Sequence, residues 1–370
     1  RMPWSDYTKI REIGSGSFGR AYLVTKQADK KYLVMKEIDN PRDKAELEAK
    51  VLNALKHPYI VRYWESFMYD KKLCIVMDYC EGGDLWQYIA ACKKKASPIK
   101  ESQVVRWFTQ MCLALKYMHQ NNILHRDIKT QNVFLAKKEG APPGGGEVRC
   151  AVLADFGIAK VLKDENAFAK TLVGTPYYLS PEICQNKPYA CPSDVWAVGC
   201  VLFELCALRV PFEAQEIVQL VDRIIRGQLP HIPKGYSAEL QKLSDDLLER
   251  NTTKRPTAVD ILQRQLIQSE IKRMLADDRA ARAGDGEVRS CGEATPRRQA
   301  GSDRGGNSAR PLGEHNPREP SNRAPSKPGS RAPSPHKVAA AEIVRNSRAP
   351  SPAPSRPSRA PSPAPSGLHR

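Results

Sequence analysis

The stretch of sequence that decides the fold reads His125-Arg126-Asp127-Ile128-Lys129-Thr130-Gln131-Asn132, and it is followed by Asp155-Phe156-Gly157. Asp127 is placed to accept or orient a hydroxyl proton. Asn132 and Asp155 carry the hard oxygen ligands that Mg²⁺ prefers, and Lys129 brings a cation toward the γ-phosphate. The pattern indicates phosphoryl transfer, in which a protein aligns an acceptor hydroxyl and screens the charge of the transferred group.

A glycine-rich loop lies upstream of this run. Gly14-Ser15-Gly16-Ser17-Phe18-Gly19 stands between two stretches with strand character. Because the residues after Gly19 continue as a strand and not as a helix, the pattern favours a hairpin that folds over nucleotide phosphates. On this stretch alone, a tight glycine turn without a ligand is the alternative.

A lysine at the end of an apolar strand is the next candidate. Lys36 follows Leu33-Val34-Met35, and we expect its ammonium to point at phosphate oxygens. Glu48 is its expected helical partner because Leu52 lies one turn further along the same face. Glu46 is the alternative, since sequence alone does not set the helix register. A single pair of this kind can also be a surface salt bridge of small value.

Hydrophobic periodicity divides the folded part into two lobes. Strands are predicted over 7–14, 19–25, 32–38, 60–67 and 73–78, with one helix over 42–55. From Gly83 onward the pattern is mainly helical, and a last helix is predicted from Thr257 to about Ala283. Residues 136–150 read as a flexible surface insertion. The predicted fold class is α+β: a small β-rich lobe over about 7–80 and a larger α-helical lobe over about 81–275.

Composition separates a tail from this folded unit. All 26 aromatic residues lie at or before Tyr236, whereas 15 of the 29 prolines follow Ala276. Residues 276–370 have too little large apolar surface to offset the entropy of ordering them. We therefore predict a disordered tail over 276–370, a folded domain over 7–275 and a short N-terminal extension over 1–6.

The charge is strongly positive in both parts. Of the net charge of +17, the tail carries +8, from 17 Lys or Arg and 9 Asp or Glu. Such a tail is suited to acidic surfaces, and a solvated tail without a partner is the alternative. It contains a degenerate repeat in which Ser334, Ser351 and Ser362 each precede proline and follow an arginine three residues back.

Other features bear on the cellular setting. The ten cysteines show no CxxC spacing, which argues against a zinc site or a disulfide framework and favours a reducing compartment. The first residues lack the apolar stretch of a signal peptide. The longest apolar run, Val195–Leu208, is too short to span a bilayer and contains Glu204, so it predicts a buried helix. We expect a cytoplasmic protein without a transmembrane segment.

Taken together, these motifs resemble those of eukaryotic protein kinases over residues 7 to about 275. The resemblance implies ATP and Mg²⁺ as cofactors, protein substrates, and a bilobal kinase fold. Lys129 together with Gly174-Thr175-Pro176-Tyr177-Tyr178 implies specificity for serine and threonine. The implied catalytic residues are Asp127, Lys129, Lys36 and Glu48, with Asn132 and Asp155 as metal ligands.

The resemblance also implies roles outside the catalytic set. Thr175 would help to hold the catalytic loop, Glu182 would pair with Arg255, and Asp194 would brace the catalytic loop from below. Structural roles are further implied for His125, Arg126, Phe156 and Gly157. The implied ATP-binding residues are Ile13, Gly14, Gly16, Gly19, Ala21, Val34, Lys36, Met77, Asp78 and Cys80.

Several stretches narrow the resemblance to the NIMA-related kinases. They are Leu33–Asp39, Tyr79–Leu85, Asn132–Leu135, Asp155–Lys160 and Phe168–Tyr178. By this resemblance Met77 guards the back of the nucleotide site, and the backbone of Asp78 to Cys80 hydrogen-bonds adenine. Ala21 and Val34 exchange the usual large and small residues over the base, which roughly conserves volume.

A phosphorylation switch is expected in the segment between Asp155 and Glu182. Arg126, next to Asp127, is a cation that an activation-segment phosphate can neutralise and hold in place. Thr171 is the leading phosphosite, and Thr175 is less favoured because its hydroxyl is expected to be used structurally. A loop threonine without a role is the alternative for Thr171.

Two functions from different classes follow. The first is an active protein serine/threonine kinase, and the second is a catalytically silent kinase fold that acts as a scaffold through its basic tail. The presence of Lys36, Asp127, Asn132 and Asp155 favours the first. The family resemblance favours a cell-cycle or cytoskeletal role in association with microtubules, basal bodies or centrosomes. Entry into the nucleus is left as an alternative. Upstream proline-directed or basophilic kinases are expected to act on the tail, and nucleic acid is not an expected partner.

Overall fold

Five antiparallel strands form the N-terminal lobe in the computed structural model. They are β1 (Tyr7–Gly16), β2 (Gly19–Lys26), β3 (Tyr32–Asp39), β4 (Tyr63–Tyr69) and β5 (Lys72–Asp78), in the order β1-β2-β3-β5-β4. The structure describes residues 3–16, 19–39, 43–137, 149–155 and 176–290, with the backbone alone at 3, 16, 43–48, 149 and 281–290. The predicted tail beyond residue 290 lies outside this described part.

Strand β5 explains why this sheet has a core on both faces. Its successive side chains alternate between the two faces. Cys74 and Val76 join a cluster on the outer face, whereas Ile75 and Met77 join the large core that continues into the second lobe. Helix α1 (Asp43–Ala54) covers part of the inner face and buries Leu52 there. The predicted strands and helix of this lobe are thus present, with shifts of a few residues at their ends.

The short N-terminal extension packs on the outer face of the sheet. Residues Pro3–Asp6 form a single turn of 3₁₀ helix, and the Trp4 ring stacks on Tyr69 with 4.5 Å between ring centroids. The Lys9 ammonium lies 4.9 Å from the centre of the Trp4 ring. Residues 3–6 therefore pack against the first lobe even though the sequence placed them outside the domain.

The second lobe is built around a buried helix, as the apolar run predicted. Helix α5 (Cys191–Ala207) is buried from Ser193 to Cys206 and packs against α3 (Glu101–Gln120). The other described elements of this lobe are α2 (Leu85–Lys94), β6 (Val133–Lys137), β7 (Arg149–Leu153), α4 (Pro181–Cys184), α6 (Ile217–Arg226), α7 (Ala238–Leu247), α8 (Ala258–Leu262) and α9 (Gln265–Ser290). The α+β class with a β-rich first lobe and a helical second lobe is confirmed.

The end of the folded part differs from the prediction in two ways. A single helix was expected over 257–283, but the chain breaks after Leu262 and begins α9 at Gln265. Helix α9 then runs to Ser290, past residue 275, where we expected the domain to end. Polar contacts explain the extension, because Arg106 of α3 binds Glu270 at 2.7 Å and Asp277 at 2.6 Å. Apolar periodicity does not report such contacts.

The predicted surface insertion connects strands β6 and β7. Strands β6 and β7 pair antiparallel, with Val133 opposite Leu153, and residues 138–148 of the predicted insertion lie outside the described residues.

Among the described helices, none combines the length and apolar character needed to cross a bilayer.

Candidate active site

A cleft of about 860 Å³ lies between the two lobes. Its walls come from the β1–β2 hairpin, strand β3, the segment that follows β5, and the region around β6 and Asp155. Most of the residues predicted from sequence line it: Ile13, Gly14, Gly19, Ala21, Val34, Lys36, Met77, Asp78, Cys80, Asp127, Lys129, Asn132 and Asp155. The structure therefore brings residues that are up to 142 positions apart into one site.

The roof of the cleft is the glycine hairpin. Gly16 and Gly19 are opposite each other in the β1–β2 ladder, and β2 follows directly, so the loop leads into a strand as predicted. Gly19 has φ of +138°, and a Cβ atom there would overlap the carbonyl oxygen of Glu37 on β3. Only glycine fits this position, which lets the end of the hairpin lie close against β3.

The back of the cleft is formed by the end of β5 and the segment that joins the lobes. Met77 is buried, and the Asp78 N–H donates to the Arg62 carbonyl oxygen at 3.0 Å. The Cys80 carbonyl accepts from the Gly83 N–H at 3.3 Å. Two of the backbone groups expected to face adenine are thus bonded within the protein. Burial raises the pKa of the Cys80 thiol to about 12.

In the catalytic loop, residues 125–132, two side chains contact the same carboxylate oxygen of Asp127. Lys129 Nζ lies 3.0 Å from Asp127 Oδ2, and Asn132 Nδ2 lies 2.9 Å from the same oxygen. Asn132 Nδ2 also donates to the Asp127 carbonyl oxygen at 2.7 Å. Because these contacts use the amide nitrogen of Asn132, its amide oxygen is the atom left to act as an acceptor.

Lys36 and Asp155 meet across the cleft, with Nζ 3.2 Å from Oδ1. Asp155 has φ of +52°, an uncommon backbone conformation for a residue other than glycine. The Ala154 N–H donates to the Asn132 carbonyl oxygen at 3.0 Å, which ties Asp155 to the catalytic loop. A carboxylate and an amide oxygen on adjacent backbone segments suit Mg²⁺, so the donor chemistry fits the metal that the sequence implies.

The structure does not describe the side chain that was expected to pair with Lys36. The side chains of Glu48 and of its alternative, Glu46, lie outside the described residues, although both positions belong to α1. Phe156, Gly157, Thr171 and Thr175 also fall outside the described part of the chain. Their roles stay predictions.

Asp194 holds the catalytic loop from below. Its carboxylate accepts from the backbone N–H groups of His125 and Arg126, each at 3.0 Å. It also contacts the Tyr189 hydroxyl at 2.5 Å and His119 Nε2 at 2.9 Å. Burial acts to raise the pKa of Asp194, but these hydrogen bonds outweigh it and lower the pKa. An ionised carboxylate at this point fixes the backbone just before Asp127.

A second buried contact is the ion pair between Arg255 and Glu182 of α4. Arg255 Nη1 is 2.8 Å from Glu182 Oε1, and the Ser193 hydroxyl donates to the same oxygen at 2.8 Å. Burial acts to raise the pKa of Glu182. The hydrogen bond and the positive charge of Arg255 act in the opposite direction, and the net shift of the pKa is downward. The two residues paired from sequence are in contact.

Sequence reasoning missed several members of the site. Val61 and Phe134 line the cleft, and His119 and Tyr189 support Asp194. Phe134 lies two residues after Asn132 on β6, where strand alternation could have indicated it. His119 lies 75 positions before Asp194 and reaches it through the tertiary fold, whereas Tyr189 lies only five positions before it.

A two-lobed fold of this kind, with a glycine hairpin over a cleft of acidic and basic groups, is that of a protein kinase. Residues 7–267 match the family model described as protein kinase domain, and the chain belongs to that family.

Similarity to individual proteins indicates which group of protein kinases the chain resembles. The chain is 47% identical to serine/threonine-protein kinase Nek1 of Mus musculus over 276 residues, which are 73% of this chain and 22% of that protein. It is 42% identical to Nek5 of Homo sapiens over 74% of this chain and 38% of that protein, and 44% identical to Nek3 of Mus musculus over 70% and 49%. The resemblance of the kinase domain to NIMA-related kinases is confirmed. The match spans between about a fifth and half of these relatives' own lengths.

Proposed function

We propose that the protein is a serine/threonine kinase that transfers the γ-phosphate of ATP to hydroxyl groups of protein substrates. The observation that carries this proposal is the convergence of Lys36, Asp127, Asn132 and Asp155 on one cleft. Lys36 contacts Asp155, and Asn132 contacts Asp127. The hydrogen bond from the Ala154 N–H to the Asn132 carbonyl links the two pairs, so the four groups belong to one connected site. The matched relatives are named serine/threonine-protein kinases, which supports the proposal.

Each residue has a task that follows from its position. Asp127 orients the acceptor hydroxyl and takes up its proton, while Lys129, 3.0 Å away, screens negative charge beside it. Lys36 holds phosphate oxygens at the opposite side of the cleft. Asn132 and Asp155 would hold Mg²⁺, which supplies a positive charge that neutralises the phosphates. Catalysis of this kind rests on alignment and charge, and the rigid support from Asp194 serves the alignment.

The scaffold alternative is not supported. A silent kinase fold would be expected to lack the lysine, the catalytic-loop aspartate or the metal aspartate, and all of these residues are present in the cleft. The contacts among Lys129, Asp127 and Asn132 also keep the loop in an ordered arrangement.

Phosphate transfer to a protein tests the proposal directly. The full chain is incubated with ATP, Mg²⁺ and a general protein substrate, beside Asp155→Ala and the control Asp29→Ala, which removes an exposed carboxylate in the β2–β3 turn. Wild type and Asp29→Ala should transfer phosphate, and Asp155→Ala should lose transfer by about a thousandfold because a metal ligand is removed. Equal signals in all three proteins would contradict the proposal.

Control by phosphorylation belongs to the same proposal. The Arg126 backbone is held by Asp194, and its guanidinium lies 5.7 Å from the centre of the Tyr189 ring. A phosphate on Thr171 would add negative charge that Arg126 can bind, which would connect the activation segment to the catalytic loop. Thr171 is therefore the proposed activating site.

The tail is proposed to target the kinase to acidic surfaces, with microtubules as the first candidate. Its net charge of +8 supports this, and phosphorylation of Ser334, Ser351 and Ser362 by proline-directed or basophilic kinases would weaken the attraction. A cytoplasmic kinase associated with the cytoskeleton, basal bodies or centrosomes, with a role in the cell cycle, fits this activity.

Co-sedimentation with microtubules tests the tail. The full chain should sediment at low salt and less so at moderate salt, because exposed charges are screened. A chain that ends at residue 290 is the control and should stay in the supernatant. Equal sedimentation of the two chains, or none for either at any salt concentration, would contradict the targeting role.

A further inference from the structure

Two buried polar side chains, Thr130 and Glu204, meet the partly buried Tyr178 directly behind the catalytic loop. Thr130 Oγ1 lies 2.9 Å from the Tyr178 hydroxyl, which lies 2.5 Å from Glu204 Oε2. Thr130 Oγ1 is also 3.4 Å from Glu204 Oε1. Thr130 is fully buried and Glu204 is 5% exposed, so these groups depend on one another for their hydrogen bonds.

The cluster joins three separate parts of the chain. Thr130 belongs to the catalytic loop, between Lys129 and Asn132. Tyr178 ends the 3₁₀ turn Pro176–Tyr178, which leads into α4. Glu204 belongs to α5, the buried central helix. The Thr130 hydroxyl is therefore the point at which the catalytic loop reaches both the turn and the core helix.

The number of available protons defines how the cluster is bonded. With Glu204 ionised, two hydroxyl protons serve three oxygen contacts. The shortest contact takes the Tyr178 proton to Glu204, so the Thr130 proton goes to the Tyr178 oxygen or, over a longer distance, to Glu204 Oε1. Burial raises the pKa of Tyr178, which keeps its hydroxyl protonated and able to donate. In either arrangement the Thr130 hydroxyl is needed to complete the network.

We infer that Thr130 is a positioning residue for phosphoryl transfer, and that its hydroxyl fixes the catalytic loop against Tyr178 and Glu204. The inference rests on the proposed kinase function and adds a residue to it. Thr130 lies three positions after Asp127 and two before Asn132, so movement at Thr130 is transmitted to both. Its side chain is buried behind the loop, away from the cleft, and it acts through the residues that line it.

Thr130→Val and Thr130→Ser form the decisive pair of variants. Valine keeps the shape of threonine and removes the hydroxyl, whereas serine keeps the hydroxyl. Thr130→Val should lower kcat about tenfold, since a buried hydrogen bond is lost and its partners are left incomplete. The KM for ATP should stay near the wild-type value, and Thr130→Ser should restore most of kcat. Rescue by serine would assign the effect to the hydroxyl, and a loss of kcat at unchanged KM would distinguish positioning from a merely structural role.

Thr109→Val is the matched control, because Thr109 is also a fully buried threonine and donates to the Val105 carbonyl within α3. It should lose some stability without a specific loss of kcat. Tyr178→Phe, alone and combined with Thr130→Val, completes a double-mutant cycle. If the two hydroxyls act together, the double variant should lose much less than the product of the two single losses. Fully multiplicative losses would overturn the inference.

Hydrogen exchange separates this inference from the kinase assignment. Backbone amides of residues 127–132 should exchange faster in Thr130→Val than in wild type or Thr109→Val, whether or not phosphate transfer is measured. Unchanged exchange in this loop would overturn the positioning role even if the protein is an active kinase. Loss of wild-type transfer, with faster loop exchange in Thr130→Val, would instead contradict the proposed function alone.

Discussion

Arg255 binds Glu182 through both terminal nitrogens, with Nη1 2.8 Å from Oε1 and Nη2 3.1 Å from Oε2. The Arg255 side chain is fully buried and the Glu182 side chain is 6% exposed. The pair joins α4, which contains Glu182, to the segment before α8, and the two residues are 73 positions apart in sequence.

Glu182→Gln should therefore lower the free energy of unfolding at neutral pH by about 3 kcal/mol, because a buried arginine loses its counter-charge. The pKa of Glu182 is below its ordinary value of 4.5, so the ionised pair stabilises the fold fully above that pH. As the pH falls below 4.5 and through the lowered pKa, wild type loses this contribution and the two proteins should converge. Denaturant unfolding at several pH values measures this, and a difference that grows toward acid pH would contradict it.

Gly19→Ala should destabilise the first lobe by about 2 kcal/mol or more, since alanine at this φ is strained and its Cβ meets the Glu37 carbonyl. Gly14→Ala is the matched control for stability, because a Cβ at Gly14 finds no atom within 4 Å. Thermal unfolding of the two variants compares them. Equal losses would show that the close approach of Gly19 to β3 is not a constraint.

Helix α9 should be required for the stability of the second lobe. It buries Ile267 and Glu270, and Glu270 binds Arg106. A chain that ends at residue 264 should lose about 3 kcal/mol or more of stability relative to a chain that ends at residue 290, because buried apolar surface and a partly buried ion pair are removed. The longer chain should unfold at the same temperature as the full chain. Identical unfolding temperatures for the two truncated chains would show that α9 adds nothing.

Trp4→Ala should lower the stability of the first lobe by about 1–2 kcal/mol, through loss of stacking on Tyr69 and of the contact with Lys9. Trp86→Ala removes a tryptophan that is 49% exposed and should change stability by about 0.5 kcal/mol or less. Denaturant titration of both variants provides the comparison. A loss in Trp86→Ala as large as that in Trp4→Ala would contradict the role of the extension.

Thr171→Ala should lower kinase activity about tenfold or more, because the phosphate that we propose Arg126 to bind can no longer be added. The measurement is phosphate transfer by protein that was first incubated with ATP. Treatment of wild type with a phosphatase should give a similar loss, and the variant should not respond to that treatment. Wild-type activity in Thr171→Ala would rule out this site as the switch.

Local motifs predicted the parts of the site that lie close together in sequence. The run from His125 to Asn132 and the glycine hairpin each carry their chemistry within eight residues, so their residue types and spacing were sufficient. Lys36 was found in the same way, because it follows the apolar run Leu33–Met35, although the strand that contains it continues to Asp39.

Contacts between distant elements were harder to predict. His119 supports Asp194 from 75 positions away in the sequence, and nothing in its local sequence distinguishes it from other histidines. Thr257 and Asp260 cap the start of α8, close to where the sequence predicted a helix to begin. The break after Leu262 and the packing of α9 on α3 depend on the tertiary fold. Only the capping is a local signal.

Cys80 has a consequence for inhibitor design. The residue lines the nucleotide cleft, yet it is only 9% exposed and burial raises the pKa of its thiol to about 12. At neutral pH about one molecule in 100,000 carries the thiolate that reacts with an electrophile. A covalent warhead aimed at this cysteine would therefore react slowly, and selective ligands for this cleft should gain their affinity from reversible contacts with its walls.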